Sequence, residues 1–301
     1  MFDVAIIGGG PAALAAGIYA ARAGKRTILF EKAAIGGLTA ETAHIENYPG
    51  YIGTGANLIA QMRSQVEQSG AELKYGNCTK LSRQEDGIIN LQIDNNQIQA
   101  RTAIIASGND PKPLNIPGED TANISRCATC DAALYNGKIV AVVGGGDSAV
   151  QEAIHIANLA AKVIIIARSQ IRARPELIAR VQQEATNITM LPETTVKEIA
   201  RLNSDTQIMH LRYADGREEF LQVHGIFAYI GYVPASRFLA DSGVNLDEQG
   251  YVVTAVDQST SVQGVFAAGD ITTDPIKQII TAAAGGARAA LSALHYINQL
   301  G

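Results

Sequence analysis

Short apolar runs, each ending in glycine and followed by a stretch rich in small residues, recur along the chain. The first, Asp3-Val4-Ala5-Ile6-Ile7, enters Gly8-Gly9-Gly10-Pro11-Ala12-Ala13 and then an alanine-rich stretch that ends near Gly24. This pattern predicts a strand, a tight loop and a helix, and Thr27-Ile28-Leu29-Phe30-Glu31 follows as a second strand. The whole reads as a βαβ unit with an acid at its far end. A near-copy begins 136 residues later, where Lys138 to Val143 leads into Gly144-Gly145-Gly146. Its helix runs through Glu152, Ile156 and Leu159, and Val163 to Ile166 is its second strand. Two such units predict an α/β protein with two Rossmann-like dinucleotide-binding domains.

Between the two units, Gly36-Gly37-Leu38 and Glu46-Asn47-Tyr48-Pro49-Gly50-Tyr51 read as loops and Leu58 to Ser69 as a helix. Short strands from Leu73 to Ile105 end at Ala106-Ser107-Gly108, and the prolines at 111, 113 and 117 then predict a hinge. Further strands close on Phe227 to Pro234, after which the chain returns to the first domain. Gly264 to Asp270 predicts a buried strand that delivers an aspartate to a turn, or merely an aspartate that caps one, and Ile276 to Tyr296 a long helix.

The glycine spacing carries chemistry. Gly8, Gly10 and Ala13 occupy the G-x-G-x-x-G/A positions, which allow a tight turn, close approach of the backbone to a pyrophosphate, and close helix–strand packing. The helix N-terminus then faces the phosphates, and Glu31 can accept hydrogen bonds from a ribose. Gly144, Gly146 and Ala149 repeat the spacing, but 23 residues after the first glycine the second unit has Ala167 in place of an acid. Arg168, Arg172 and Arg174 follow it; they can select a ribose 2′-phosphate or serve as solvated surface charge.

Composition narrows the classes. At 301 residues the chain exceeds what one core usually supports. A net charge of −5 and the absence of long like-charge blocks argue against nucleic acid. No apolar run is long enough to span a bilayer, and the N-terminus enters a strand at once, so the expected location is the cytoplasm. Three cysteines make no disulfide framework, and Cys127-Ala128-Thr129-Cys130-Asp131 is a CxxC pair of the catalytic, redox-sensing or metal-binding kind. Zinc commonly takes four ligands, whereas only Cys78 remains and the histidines, including His44, His155 and His224, lie in no ligand spacing, so no metal site is expected. Cys78 reads as a small buried residue, and Asp131 as either a proton-managing group or a helix N-cap.

Together, GGGPAALAAGIYAAR from Gly8, GG at Gly36, ENYPGY from Glu46, CATCD from Cys127, GGGDSAVQEA from Gly144, IGYVP from Ile230 and FAAGD from Phe266 resemble the low-molecular-weight thioredoxin reductases over nearly the whole chain. The resemblance implies an FAD-binding domain at 1–112 and 238–301, with a central NAD(P)-like domain at 113–237 inserted in it and carrying the dithiol, usually in a homodimer. By matched position, Gly8, Gly10 and Ala13 would hold the FAD pyrophosphate, Glu31 the adenosine ribose and Asp270 the ribityl chain. Gly37, Asn47, Gly269 and Gln278 lie in segments that line the flavin. Cys130 would receive electrons from the flavin, Cys127 would attack a protein disulfide, and Asp131 would be the acid–base group.

The sequence departs from the family pattern at Leu38, Ala13 and Ala132, and where the family has His-Arg-Arg for the NADPH 2′-phosphate it has Ala167-Arg168-Ser169. The implied function is an FAD-dependent disulfide reductase acting on thioredoxin or a similar dithiol protein, with NADPH as default donor. Alternatives are a relative reduced by ferredoxin, with another adenine dinucleotide or a second FAD in the central domain, and a flavin–dithiol redox sensor without turnover. The resemblance further implies a rotation about linkers near Pro113 and Pro234.

Overall fold

The protein is described from a computed structural model, in which residues 1–42, 44–184 and 186–300 are described. In chain order, the first segment holds β1 (Phe2–Ile7), α1 (Pro11–Arg22), β2 (Thr27–Glu31), β3 (Ile45–Tyr48), β4 (Tyr51–Gly53), α2 (Gly55–Gln68), β5 (Glu72–Tyr75), β6 (Cys78–Arg83), β7 (Ile89–Ile93) and β8 (Asn96–Ile105). After the crossing strand β9 (Asn109–Pro111) come β10 (Ile124–Ser125), α3 (Ala128–Asp131), β11 (Ile139–Val143), α4 (Asp147–Ala157), β12 (Lys162–Ile166) and α5 (Pro175–Glu184). Then follow β13 (Ile188–Leu191), β14 (Thr194–Arg201), β15 (Gln207–Tyr213), β16 (Glu218–Val223) and β17 (Gly225–Ala228). The return crossing is β18 (Tyr232–Pro234), and β19 (Val265–Ala267) and α6 (Ile279–Gln299) complete the chain.

The chain divides into two compact units, one made of Met1–Asp110 with Val233–Gly301 and the other of Pro111–Tyr232. The boundaries fall a few residues earlier than the sequence suggests, at 110/111 and 232/233 rather than 112/113 and 237/238. Backbone pairing is the reason: β9 pairs with β18, and Ala235 already belongs to the outer unit, donating its N–H to Gly108 O at 3.0 Å while Ser107 Oγ donates to its carbonyl at 3.0 Å.

The outer unit is built on a sheet of order β5-β2-β1-β8-β7-β6, with β19 also paired to β8. β1, β2, β5, β19 and the C-terminal half of β8 run parallel, while β6, β7 and the first half of β8 form an antiparallel meander. Val4, Ala5 and Ile6 have no exposed surface, as expected of a parallel strand covered on both faces. On one face α1 and α6 pack at unusually short range, because a Cβ at Gly286 would stand 2.0 Å from Ala12 O. The buried alanines 12, 13, 16, 282, 289 and 290 supply the flat surfaces that allow this.

The central unit repeats the parallel core in the order β10-β17-β11-β12-β13, and β14-β15-β16 forms its antiparallel meander. Two apolar clusters, around Phe227, Val142 and Ile165 and around Met209, Leu211 and Ile166, form its core.

Local chemistry adjusts several predicted ends. α4 stops at Ala157, with Asn158 as C-cap, so Leu159 lies beyond it. α6 starts at Ile279 because Gln278 and Thr281 form a reciprocal capping box. Within the stretch from Phe227 to Pro234 the chain turns between β17 and β18 at Gly231, whose φ is +99°. Among the described residues no helix is long and apolar enough to cross a membrane.

Candidate active site

In each unit the glycine loop follows the first core strand, and the two are built alike. Gly8 has φ +121° and a Cβ there would stand 2.1 Å from Ala106 O; Gly144 has φ +148° and a Cβ would stand 2.3 Å from Tyr229 O. Each carbonyl lies one residue past the end of the neighbouring parallel strand, β8 or β17, so only glycine allows the turn to close. A Cβ at Gly10 would have Gly36 O at 3.9 Å as its nearest neighbour, and one at Gly146 would meet nothing within 4 Å. Those faces are open, which is what approach of a pyrophosphate requires. No side chain caps α1 or α4 through Gly10 or Gly146, so the first-turn N–H groups have no side-chain acceptor there. Ala13 and Ala149 are fully buried at the close helix–strand contact.

The residues at the ends of the second strands also correspond. A Cβ at Gly9 would lie 2.9 Å from Glu31 Cβ, and one at Gly145 would lie 2.9 Å from Ala167 Cβ. Position 167 is thus the spatial counterpart of Glu31, and it lacks the carboxylate. Glu31 is 9% exposed, and its Oε1 accepts the Ala33 N–H at 2.8 Å.

In the outer unit the other predicted residues converge. Gly36 N–H donates to Gly9 O at 2.8 Å, which lays the Gly36-Gly37 turn against the loop. Asn47 Nδ2 donates to Gln278 Oε1 at 3.0 Å, joining the β3–β4 hairpin to the start of α6. Gly269 turns at φ +79° against Ala12, and Asp270 follows in a short 3₁₀ turn. Burial, and then Asp274, push the Asp270 carboxyl above the ordinary aspartate range, against the pull of Lys277. Lys277 Nζ donates to the Asp270 and Thr272 carbonyls and lies 4.5 Å from the Tyr251 ring centre. A cavity of about 330 Å³ at the C-terminal ends of β1 and β2 is lined by Gly8, Glu31, Lys32, Cys78 and Ser107. A glycine loop left open at Gly10, at the strand ends of a parallel sheet and beside a carboxylate, fits an adenine dinucleotide such as FAD.

The dithiol lies in the central unit. Cys127 and Cys130 form a disulfide with Cα atoms 5.3 Å apart. Cys127 precedes α3 as its N-cap, and its Sγ accepts the Cys130 N–H at 3.2 Å. Ser125 Oγ accepts the Cys127 N–H at 3.1 Å and donates to the Cys127 carbonyl at 3.2 Å, fixing that residue from below. Arg126 pairs with Glu119 at 3.0 Å, and Glu119 also accepts the N–H groups of Leu114 and Asn115. Asp131 caps no helix with its side chain; the cap expected of it is made by Cys127. Its charge is felt by Tyr135, whose phenol is held above its ordinary range by burial first and by Asp131 second.

Sequence reasoning missed Tyr229. The Ala128 N–H, at the start of the dithiol helix, donates to Tyr229 Oη at 2.8 Å, while the Tyr229 carbonyl abuts Gly144. Tyr229 also lines a cleft of about 580 Å³ with Gly144, Gly146, Ala149, Ala167 and Arg168. Arg174, one of three arginines weighed for a phosphate, is occupied elsewhere: its Nε lies 2.7 Å from Asp147 Oδ2 and its N–H donates to Oδ1 at 2.8 Å.

Comparison with known proteins agrees with this architecture. The profile of the family described as pyridine nucleotide-disulphide oxidoreductase matches residues 2–286. The chain is 36% identical over 306 residues to a thioredoxin reductase of Bacillus subtilis (strain 168), covering 100% of this chain and 96% of that protein. It is 38% identical over 314 residues to a thioredoxin reductase of Peptoclostridium litorale, covering 100% and 98%. The crystal structure of Lactococcus lactis thioredoxin reductase superposes with a TM-score of 0.89 at 33% identity, covering 99% of this chain and 100% of that one. The chain therefore belongs to the pyridine nucleotide-disulphide oxidoreductase family, within which it is a disulfide oxidoreductase of the thioredoxin-reductase type.

Proposed function

We propose that this protein is an FAD-dependent reductase that passes electrons through Cys127 and Cys130 to thioredoxin or a similar small dithiol protein, with NADPH as donor and a homodimer as the working form. The observation that carries the reading is the Cys127–Cys130 disulfide, with the Cys130 N–H directed at Cys127 Sγ, in the same unit as the second glycine loop. When bound, FAD supplies a reversible two-electron carrier able to reduce a disulfide. In the outer unit, Gly8, Gly10 and Ala13 would hold its pyrophosphate, Glu31 its ribose and Asp270 its ribityl chain, with Gly37, Asn47, Gly269 and Gln278 along the flavin. In the central unit, Gly144, Gly146, Ala149 and Arg168 would hold the second nucleotide.

Two electrons and two protons open the Cys127–Cys130 bond to a dithiol. Cys127, as thiolate, then attacks a sulfur of the partner's disulfide: a Cys127–partner bond forms and the partner's other sulfur leaves as a thiolate. The Cys130 N–H stabilises the Cys127 thiolate, because a charged acceptor strengthens that hydrogen bond. Cys130 next attacks Cys127 Sγ, which re-forms the intrachain disulfide and releases the partner as a dithiol. Asp131 takes and returns the protons as Cys130 cycles between thiol and thiolate.

Catalytic thioredoxin reduction separates this reading from a redox sensor without turnover. Cys127→Ser is expected to abolish reduction while FAD stays bound; turnover that survives in the variant refutes the exchange role. The engagement of Arg174 by Asp147, which removes one of the three arginines that could meet a 2′-phosphate, favours a second reading for the donor, in which ferredoxin supplies the electrons and another adenine dinucleotide fills the central cleft. An anaerobic titration with NADPH and NADH decides between them, with chemical reduction as control. Flavin bleaching by NADPH supports the first reading, and bleaching by the chemical reductant alone supports the second.

A further inference from the structure

The segment that joins β19 to α6 carries Asp270 near its start and Gln278 at its end, and Lys277 stands directly before Gln278. The Lys277 ammonium reaches back along the chain. It donates to the Asp270 carbonyl at 3.1 Å and to the Thr272 carbonyl, and it lies 4.5 Å from the centre of the Tyr251 ring. One side chain thus closes residues 270–277 into a ring. An ammonium has three N–H donors, and here it meets two carbonyls and an aromatic face. Burial pushes it below the ordinary lysine range, against the pull of Asp270, Asp274 and Asp247. Partial desolvation of a cation is costly, and those contacts offset it.

The parts that Lys277 joins are anchored separately. Thr272 donates to Gly269 O through its N–H at 3.0 Å and its hydroxyl at 2.9 Å, and Gly269 packs against Ala12 behind the first glycine loop. Val252 N–H donates to Ile271 O at 2.8 Å and Thr273 N–H to Val252 O at 3.0 Å, which lays the Asp270 turn beside Tyr251. Tyr251 N–H is accepted by Asp247 Oδ1 at 2.8 Å. On the other side, Ile276 N–H donates to Asp274 Oδ1 and Thr281 Oγ1 donates to Ile276 O, both at 2.8 Å, so Lys277 hangs from the start of α6. Its side chain therefore runs as a tie from the first turn of α6 to the Asp270 turn.

We propose that Lys277 is a positioning residue for the flavin half of the FAD site: it fixes the separation of Asp270 and Gln278, and with it the register in which the two meet the ribityl chain and the flavin. The adenosine half is held by other elements, the Gly8 loop and Glu31. The inference rests on the reading of Asp270 and Gln278 as flavin contacts and deepens it by naming the residue that sets them.

The test is calorimetric binding of FAD and of ADP-ribose to the full-length protein after its flavin has been removed. ADP-ribose carries the adenosine and pyrophosphate but no ribityl or flavin group. Lys277→Gln and Lys277→Met should each weaken FAD at least about tenfold while ADP-ribose binds as in the unaltered protein, because bonds from a charged donor are lost at one end of the site only. Lys277→Arg, which keeps the charge and the donors, should restore FAD affinity to within about threefold. Unchanged FAD affinity in Lys277→Met, or equal weakening of FAD and ADP-ribose in both variants, overturns this inference; if Asp270→Asn still weakens FAD selectively, the reading of Asp270 stands. Full FAD affinity in Asp270→Asn, or failure of the unaltered protein to take up FAD, overturns both.

Discussion

Cys78 and Cys127 carry the same side chain in opposite surroundings. Cys78 is 8% exposed in β6, and burial pushes its thiol up to about 12, opposed only by a backbone hydrogen bond at Lys80. Cys127 has a backbone N–H aimed at its sulfur. After mild reduction at pH 8, iodoacetamide should label Cys127 and Cys130 in minutes and spare Cys78 until the protein is unfolded, as read by peptide mass spectrometry. Tyr229→Phe removes the acceptor of the buried Ala128 N–H and should destabilise the protein by about 1–3 kcal/mol in urea titrations. A shift in the dithiol's reduction potential should accompany the loss. Asp270 gives a pH prediction. Its carboxyl is raised in the folded state, so the fold holds more protons than the unfolded chain from the ordinary aspartate range upward. Stability of the flavin-free protein should therefore fall as pH rises through that window, and Asp270→Asn should flatten the dependence, raise stability at neutral pH and weaken FAD retention. The CxxC pair was legible because its spacing is its chemistry. Tyr229 was not, since its bond to Ala128 joins residues 101 apart and exists only after the sheet has formed.

Two adjacent glycines in α6 have opposite assignments. A Cβ at Gly286 would stand 2.0 Å from the Ala12 carbonyl, whereas one at Gly285 would meet nothing closer than 3.6 Å. Gly286→Ala should cost about 1–3 kcal/mol or more by forcing α1 and α6 apart. Gly285→Ala should gain up to about 1 kcal/mol from helix propensity. Comparison of the two thermal transitions checks both signs. At this scale the sequence spoke clearly about the strands flanking each glycine loop, where apolar runs meet turn residues. Helix ends were less legible: α6 begins late because Gln278, an uncommon N-cap, is held by its reciprocal bonds with Thr281. Arg174 looked equivalent to Arg168 in the sequence, and only packing assigned it to Asp147.

The central unit is one continuous segment with its own apolar clusters, whereas the outer unit draws β19 and α6 from the far end of the chain to pair with β8 and pack on α1. Expressed alone, residues 111–232 should therefore unfold cooperatively in denaturant, and residues 1–110 should not. The unit boundaries were hidden from composition because prolines mark the region of the crossing, while the pairing of β9 with β18 sets its position. The strand-end carbonyls that fill the Cβ positions of Gly8 and Gly144 have a genetic consequence. Every one-base substitution that takes a glycine codon to another amino acid adds a side chain. Neither position therefore has a mutational neighbour that keeps the turn, and in a library selected for folded, cofactor-loaded protein both codons should tolerate only synonymous change.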